Sequence, residues 1–195
     1  MNTLDLILKL DIAGNPTAWI GYEEAIKLYA NKRVISSLGR ESYVFRGGIN
    51  ALTRKRSIVE VGSILLTRGR VHQRVNGSKF IPHLTNGALF RRDGYLCLYC
   101  GEKFKVEGLT RDHVVPLSLG GRDNWENVVT ACFRCNNLKG DKMLQEWGDR
   151  KLIAIPYVPN KAEYLYLLNR RTIADQQEFL ALRFRKGSAL ARQDL

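Results

Sequence analysis

Residues 95–142 read YLCLYCGEKFKVEGLTRDHVVPLSLGGRDNWENVVTACFRCNNLKGDK, and the fold turns on how this stretch is closed. It holds the four cysteines of the chain as two Cys-x-x-Cys pairs, Cys97 with Cys100 and Cys132 with Cys135. Two residues between thiols let a tight turn aim both sulfurs at one ion, and two such pairs complete a closed four-sulfur zinc site. Two disulfides or a redox pair are the competing reading. A chain without a secretory signal is expected in a cytoplasmic, reducing compartment, where structural disulfides are rare, and this favours structural Zn²⁺. The interval from Gly101 to Ala131 is 31 residues, against roughly 15–20 in a simple zinc ribbon. A folded insert must therefore sit between the pairs.

That insert carries β-strand composition twice. Leu109 to Val115 is β-rich and is ended by Pro116, Gly120-Gly121 marks a turn, and Asn127 to Thr130 predicts a second short strand. A hairpin is the simplest connection. Beyond the second cysteine pair, Asn136-Asn137-Leu138-Lys139 can start a short helix. The expected unit is strand, strand, helix, clipped at its base by metal.

Asp112-His113, then Asn127, then Asn136 lie inside this cysteine frame, with the run Cys135 to Gly140 reading CNNLKG. On these residues the segment resembles an HNH endonuclease, of the variant whose third signature residue is Asn. The resemblance covers about a quarter of the chain. It implies a ββα-metal fold and metal-dependent hydrolysis of DNA phosphodiester bonds, leaving 5′ phosphate and 3′ hydroxyl ends. Within it His113 is expected as general base, since an imidazole can be neutral near physiological pH and take a proton from water. Asp112 and Asn136 offer hard oxygens to a catalytic Mg²⁺ or Mn²⁺, and Asn127 would hold the loop that aims His113. One geometric conflict is visible at once. Neighbours on an ideal strand point to opposite faces, so Asp112 and His113 converge only where the strand bends or ends.

Lys139, Arg91, Arg92 and Arg111 are candidate nucleic-acid contacts, Lys139 being equally readable as a solvated lysine one turn beyond Asn136. Phe90 to Tyr95 resembles the helix and turn that lead into the zinc knuckle of HNH proteins. Trp125 is expected to pack beneath the hairpin, and His72 and His83 fall outside the motif. A non-catalytic zinc module binding nucleic acid, or an HNH nuclease directed at RNA, are the alternative functions.

Composition agrees with a polyanionic partner. Thirty-one Lys and Arg against nineteen Asp and Glu leave a net charge of +12, which suits DNA or RNA. No apolar run approaches the roughly 18–20 residues needed to span a bilayer, so a membrane partner is not expected.

The overall expectation is an α+β chain in three parts: an N-terminal module over 1–80, the nuclease domain over 81–150 and a basic helical extension over 151–195. In the first part, the opening MNTLDLILKLD predicts a strand, Gly14-Asn15-Pro16 a turn and Tyr22 to Asn31 a helix. Val34-Ile35, Tyr43 to Phe45 and Ser57 to Leu66 predict further strands. The module could grip DNA, pair chains or brace the catalytic unit. Arg54-Lys55-Arg56, Arg68, Arg70, Arg74 and Lys79 gather ahead of the cysteines, and Gly69 to Asn86 has linker composition. Helices are expected over 141–147, 162–169 and 173–185, the tail packing through Phe184 and loosening after Gly187, with Arg170 and Arg192 among its cations.

Overall fold

The computed structural model describes residues 6–69, 80–148, 150–169, 171–186, 188 and 190. The expected cations Arg70, Arg74, Lys79, Arg170 and Arg192, together with His72, lie outside those residues. The chain is α+β and forms two compact units, 1–80 with 168–183 and 81–167 with 184–195. Among the described residues no helix is long and apolar enough to cross a membrane.

In the first unit β1 (Ile7–Leu10) turns back into β2 (Pro16–Ile20). The Asp11 carboxylate closes the turn by accepting from the Ala13 and Asn15 backbone N–H groups, each at 2.9 Å. Strand β2 escapes a pattern reading because it is five residues long and opens on a proline, which a strand tolerates at its first position. Helix α1 (Tyr22–Ala30) buries Ala25 and Leu28. Two long strands follow, β3 (Val34–Ile49) and β4 (Arg56–Thr67), in an antiparallel hairpin. The sheet order is β2-β1-β4-β3, with β1 parallel to β4, over a core of Ile7, Ile20, Ala25, Leu28, Val61 and Leu65.

The sequence separates Val34-Ile35 from Tyr43 to Phe45 because polar residues interrupt the alternation between them. The structure keeps one strand and absorbs the interruption as a bulge: Leu38 pairs with Ile64 and Ser42 with Gly62, so Gly39, Arg40 and Glu41 face Ser63 alone. Gly39 has φ +97°, and a Cβ there would lie 2.0 Å from Ser63 Oγ. The Asp175 carboxylate fastens the bulge, accepting from the Arg40 N–H at 2.8 Å and the Ser63 hydroxyl at 2.6 Å.

In the second unit α2 (Asn86–Arg92) starts at Thr85, whose hydroxyl oxygen accepts from the Ala88 N–H. Strands β5 (Leu109–His113) and β6 (Val128–Cys132) pair antiparallel from Leu109 opposite Cys132 to His113 opposite Val128. They lie within two residues of the strands expected from composition. Helix α3 (Phe133–Lys139) begins three residues before Asn136, because Cys132 Sγ accepts from the Cys135 N–H and sets the start earlier. Residues 141–147, expected as a helix, hold only a 3-10 turn over Leu144–Trp147. Trp125 is buried with Leu89, Phe90, Leu109 and Val128, and its Nε1 donates to the Pro82 carbonyl at 2.8 Å.

Residues 151–195, expected as one extension, divide between the units. Helix α4 (Lys161–Leu168) falls in the second up to Leu167, and α5 (Ala174–Ala181) falls in the first. The cause is Gln176, fully buried, whose side-chain amide donates to the Leu6 and Ser63 carbonyls at 2.8 and 2.9 Å. Phe184 packs edge-on against Tyr166 with ring centres 5.3 Å apart.

Candidate active site

Strand β5 presents chemistry on both faces because its side chains alternate. On one face Thr110 and Asp112, two residues apart, meet Asn136 and Lys139, three residues apart on α3. Asn136 Nδ2 donates to Thr110 Oγ1 at 2.8 Å. Lys139 Nζ lies 3.1 Å from Asp112 Oδ2 and donates to the His113 carbonyl at 2.7 Å. The Tyr99 hydroxyl also donates to Asp112 Oδ2. Burial, reinforced by that bond to Asp112, raises the Tyr99 phenol above its ordinary value, so it stays protonated and remains a donor.

On the other face His113 stands at the end of β5 with Arg111. His113 Nε2 is 2.9 Å from Asp123 Oδ1, and Arg111 Nη1 reaches both Asp123 oxygens at 2.8 and 2.7 Å. Arg111 Nε donates to Asn86 Oδ1 at 2.9 Å. The Arg111 hydrogen bonds, and then that of His113, hold the Asp123 carboxyl below the usual range. An ionised carboxylate only accepts, so a neutral imidazole in this contact carries its proton on Nε2, and among the described residues none bonds to Nδ1.

Asn127 closes the connection between the strands. Its Oδ1 accepts from the Val115 N–H at 2.8 Å, and its Nδ2 donates to the Val115 and Arg122 carbonyls at 2.9 and 3.0 Å. Gly121 is needed in the same loop, since a Cβ there would sit 1.9 Å from the Val115 carbonyl oxygen.

Two of the expected nucleic-acid contacts, Arg92 and Lys139, are corrected by burial and bonding. Arg92 is fully buried and spends all five N–H groups inside the fold. Two go to Asp93, at 2.8 and 3.1 Å, and three to the carbonyls of Trp125, Tyr157 and Val128, at 2.9, 3.1 and 2.9 Å. Lys139 is 1% exposed and bound to Asp112, so it is neither a phosphate contact nor a solvated lysine here. Arg91 donates to the Tyr166 and Leu167 carbonyls, tying α2 to the end of α4. Arg111 stays partly open, its side chain 19% exposed, but is held by Asp123. Among the described residues of this unit the exposed cations are instead Lys103, Lys105, Arg122, Arg134, Lys142, Arg150, Lys151, Arg185 and Lys186. Sequence reasoning missed Tyr99 and Asp123. Tyr99 sits between two cysteines, and Asp123 follows a Gly-Gly turn; neither position signals a partner without the fold.

The four cysteines are free of disulfides, and their Sγ atoms all lie within 4.8 Å of one another. A tetrahedral ion with bonds of about 2.3 Å has sulfur–sulfur edges of about 3.8 Å, so the donor set fits such an ion after a small contraction. Cys97, Cys132 and Cys135 are buried and Cys100 is exposed. Burial pushes the Cys100 and Cys135 thiols up. At Cys97 burial acts the same way but is outweighed by hydrogen bonds from the Cys132, Cys100 and Tyr99 backbone, which favour the thiolate. The sulfur cluster, hairpin and α3 thus form a ββα unit closed at its base.

Residues 97–152 match the HNH endonuclease family. The chain is similar in part to two curated relatives, both named CRISPR-associated endonuclease Cas9. That of Corynebacterium diphtheriae is 36% identical over 59 residues, which is 30% of this chain and 5% of that protein. That of Actinomyces naeslundii is 32% identical over 82 residues, 39% of this chain and 7% of that protein. The chain therefore spans less than a tenth of the length of either relative. Among solved structures, the crystal structure of the type II-C Cas9 enzyme from Actinomyces naeslundii overlaps 55% of this chain and 13% of that one, at 23% identity and a TM-score of 0.30.

Proposed function

We propose that the chain is an endonuclease that hydrolyses DNA phosphodiester bonds at the HNH segment, with His113 as general base. The observation that carries this reading is the His113–Asp123 contact at 2.9 Å. It fixes the ring and leaves Nδ1 to take the proton from an attacking water. Asp123 keeps its charge because Arg111 grips it, so it also stabilises the imidazolium that forms. Asn127 holds the backbone at Val115, two residues past His113, and so limits how far the ring can swing.

Asp112 and Asn136 would hold the catalytic Mg²⁺ or Mn²⁺. Their chemistry fits: Asp112 Oδ1 accepts from Lys139 Nζ at 3.3 Å, and an ionised carboxylate oxygen can accept again. The Asn136 amide nitrogen is committed to Thr110, which leaves its carbonyl oxygen as the donor for a cation. When bound, the ion would supply positive charge at the scissile phosphate and the leaving 3′ oxygen. Lys139 balances Asp112 within the fold, and its bond to the His113 carbonyl keeps the end of β5 in place. The exposed cations around the hairpin supply phosphate contacts that position a strand without reading its sequence. The cysteine cluster would hold zinc and act through the fold alone.

Cleavage of supercoiled plasmid by the wild type and by His113→Ala, in Mg²⁺, Mn²⁺ or EDTA and with zinc content measured on both proteins, tests the reading. Metal-dependent nicking that is lost in the variant while zinc is retained is expected. Wild-type protein that binds DNA but cuts neither plasmid, single-stranded DNA nor RNA overturns it in favour of a binding module.

A further inference from the structure

Strands β3 and β4 run on past the body of the first unit. Phe45 stacks on Tyr22 with ring centres 5.5 Å apart, and Val59 and Val61 still reach the core. Beyond them every residue from Arg46 to Ile58 is exposed. This 13-residue tip carries Arg46, Arg54, Lys55 and Arg56 and no carboxylate. The turn is built rather than loose: Asn50 Oδ1 accepts from the Leu52 and Thr53 N–H groups, each at 2.9 Å, and the Asn50 N–H donates to the Lys55 carbonyl at 2.9 Å. Leu52 at the apex is 94% exposed, and Ile49 and Ile58 are 60% and 62% exposed.

We propose that this ribbon is a DNA-binding arm that enters the major groove of a duplex with its basic tip. Four cations without a carboxylate suit a polyanion. The dimensions suit the groove. Two paired strands lie about 4.8 Å apart and each residue adds about 3.4 Å, so Arg46 to Asn50 extends about 14 Å. The B-DNA major groove is about 12 Å wide and 8.5 Å deep and admits a two-stranded ribbon. The A-form RNA groove is too narrow for side chains to read, which commits the proposal to DNA. Gly47 keeps one strand slim beside Ser57, whose Oγ would lie 2.3 Å from a Cβ there, and the exposed apolar side chains match base edges such as the thymine methyl. The arm rests on the DNA part of the functional reading and not on cleavage.

Binding of a fluorescent 20-base-pair DNA duplex to the full 195-residue chain tests it, compared with the Arg54→Ala/Lys55→Ala/Arg56→Ala variant across a salt series. Each lost phosphate contact lowers the slope of log K against log salt by about 0.9. The expected result is a slope shallower by about 2–3 and affinity at least tenfold weaker. Affinity for single-stranded DNA and duplex RNA of the same length should change little. Leu52→Ser should weaken the duplex alone without changing the slope. An unchanged slope in the triple variant, or an equal loss on all three nucleic acids, overturns the arm. So does a change in sedimentation mass with duplex affinity intact, which would make the ribbon a contact between copies. Wild-type protein that binds duplex but does not cut it sinks the nuclease reading and leaves the arm standing. Cleavage retained with binding unchanged in the triple variant does the reverse.

Discussion

Asp123 is half exposed in a glycine-rich loop, yet it is the shared acceptor of Arg111 and His113. Replacing it with Asn keeps the shape and removes the charge. We expect Asp123→Asn to lower kcat about 10–100-fold, the range seen for hydrogen-bond partners of metal-ligating histidines, with KM little changed and Asp123→Glu restoring part of the loss. Nitrogen NMR of His113 should show Nε2–H dominant in the wild type and mixed tautomers in Asp123→Asn. The same carboxylate gives a pH-dependent difference in stability. Its folded value lies below the ordinary 3.8, so the stabilisation is present above 3.8 and is lost as pH falls through the lowered folded value. The melting-temperature gap between wild type and Asp123→Asn should therefore be open at neutral pH and close in strong acid. The resemblance to the HNH motif singled out Asp112, His113, Asn127 and Asn136. It could not single out Tyr99 or Asp123, because a hydrogen bond across a hairpin leaves no periodic trace.

Helix α2 and strand β6 are joined by a buried charge pair rather than by apolar packing alone. Arg92 and Asp93 have side-chain exposures of 0% and 4%, and Asp93 also accepts from the Thr130 N–H at 2.8 Å. Removing one partner of such a pair costs about 3–5 kcal/mol, since the other charge stays buried. Arg92→Ala should therefore lower unfolding free energy by that amount in a denaturant titration, whereas exposed Arg122→Ala should move it by less than about 0.5 kcal/mol. At this scale strands β5 and β6 were legible from β-branched composition between Gly and Pro signals. The basic residues around them were not. An arginine before a zinc knuckle reads as a phosphate contact until its donors are counted, and Arg92 has none left. Similarly, the start of α3 was misplaced because a cysteine is not a usual helix cap, and Cys132 serves as one.

Across the whole molecule, the two units differ in what holds them. The first has a four-stranded sheet over an apolar core, and the second, besides its own apolar clusters, has the β5–β6 hairpin inside the loop between the two cysteine pairs. Removing metal from the four sulfurs should raise hydrogen exchange in β5, β6 and α3 while β1 and β4 keep their protection, as read by mass spectrometry. Cys132→Ser should give the same pattern without chelator. The division of the chain was the least legible feature, because α5 returns to the first unit through Gln176 and Asp175, polar residues that an apolar pattern ignores. The cysteine pairs have one more consequence, for the order in which the molecule comes together. Closing a loop of some thirty residues costs the unfolded chain about 3 kcal/mol of entropy, and one ion bound at the sulfurs would close it in a single event. On the proposed nuclease reading, a newly made chain would hold its side chains in sequence and still be unable to act until it had captured metal, so ion supply rather than synthesis would set when it acts.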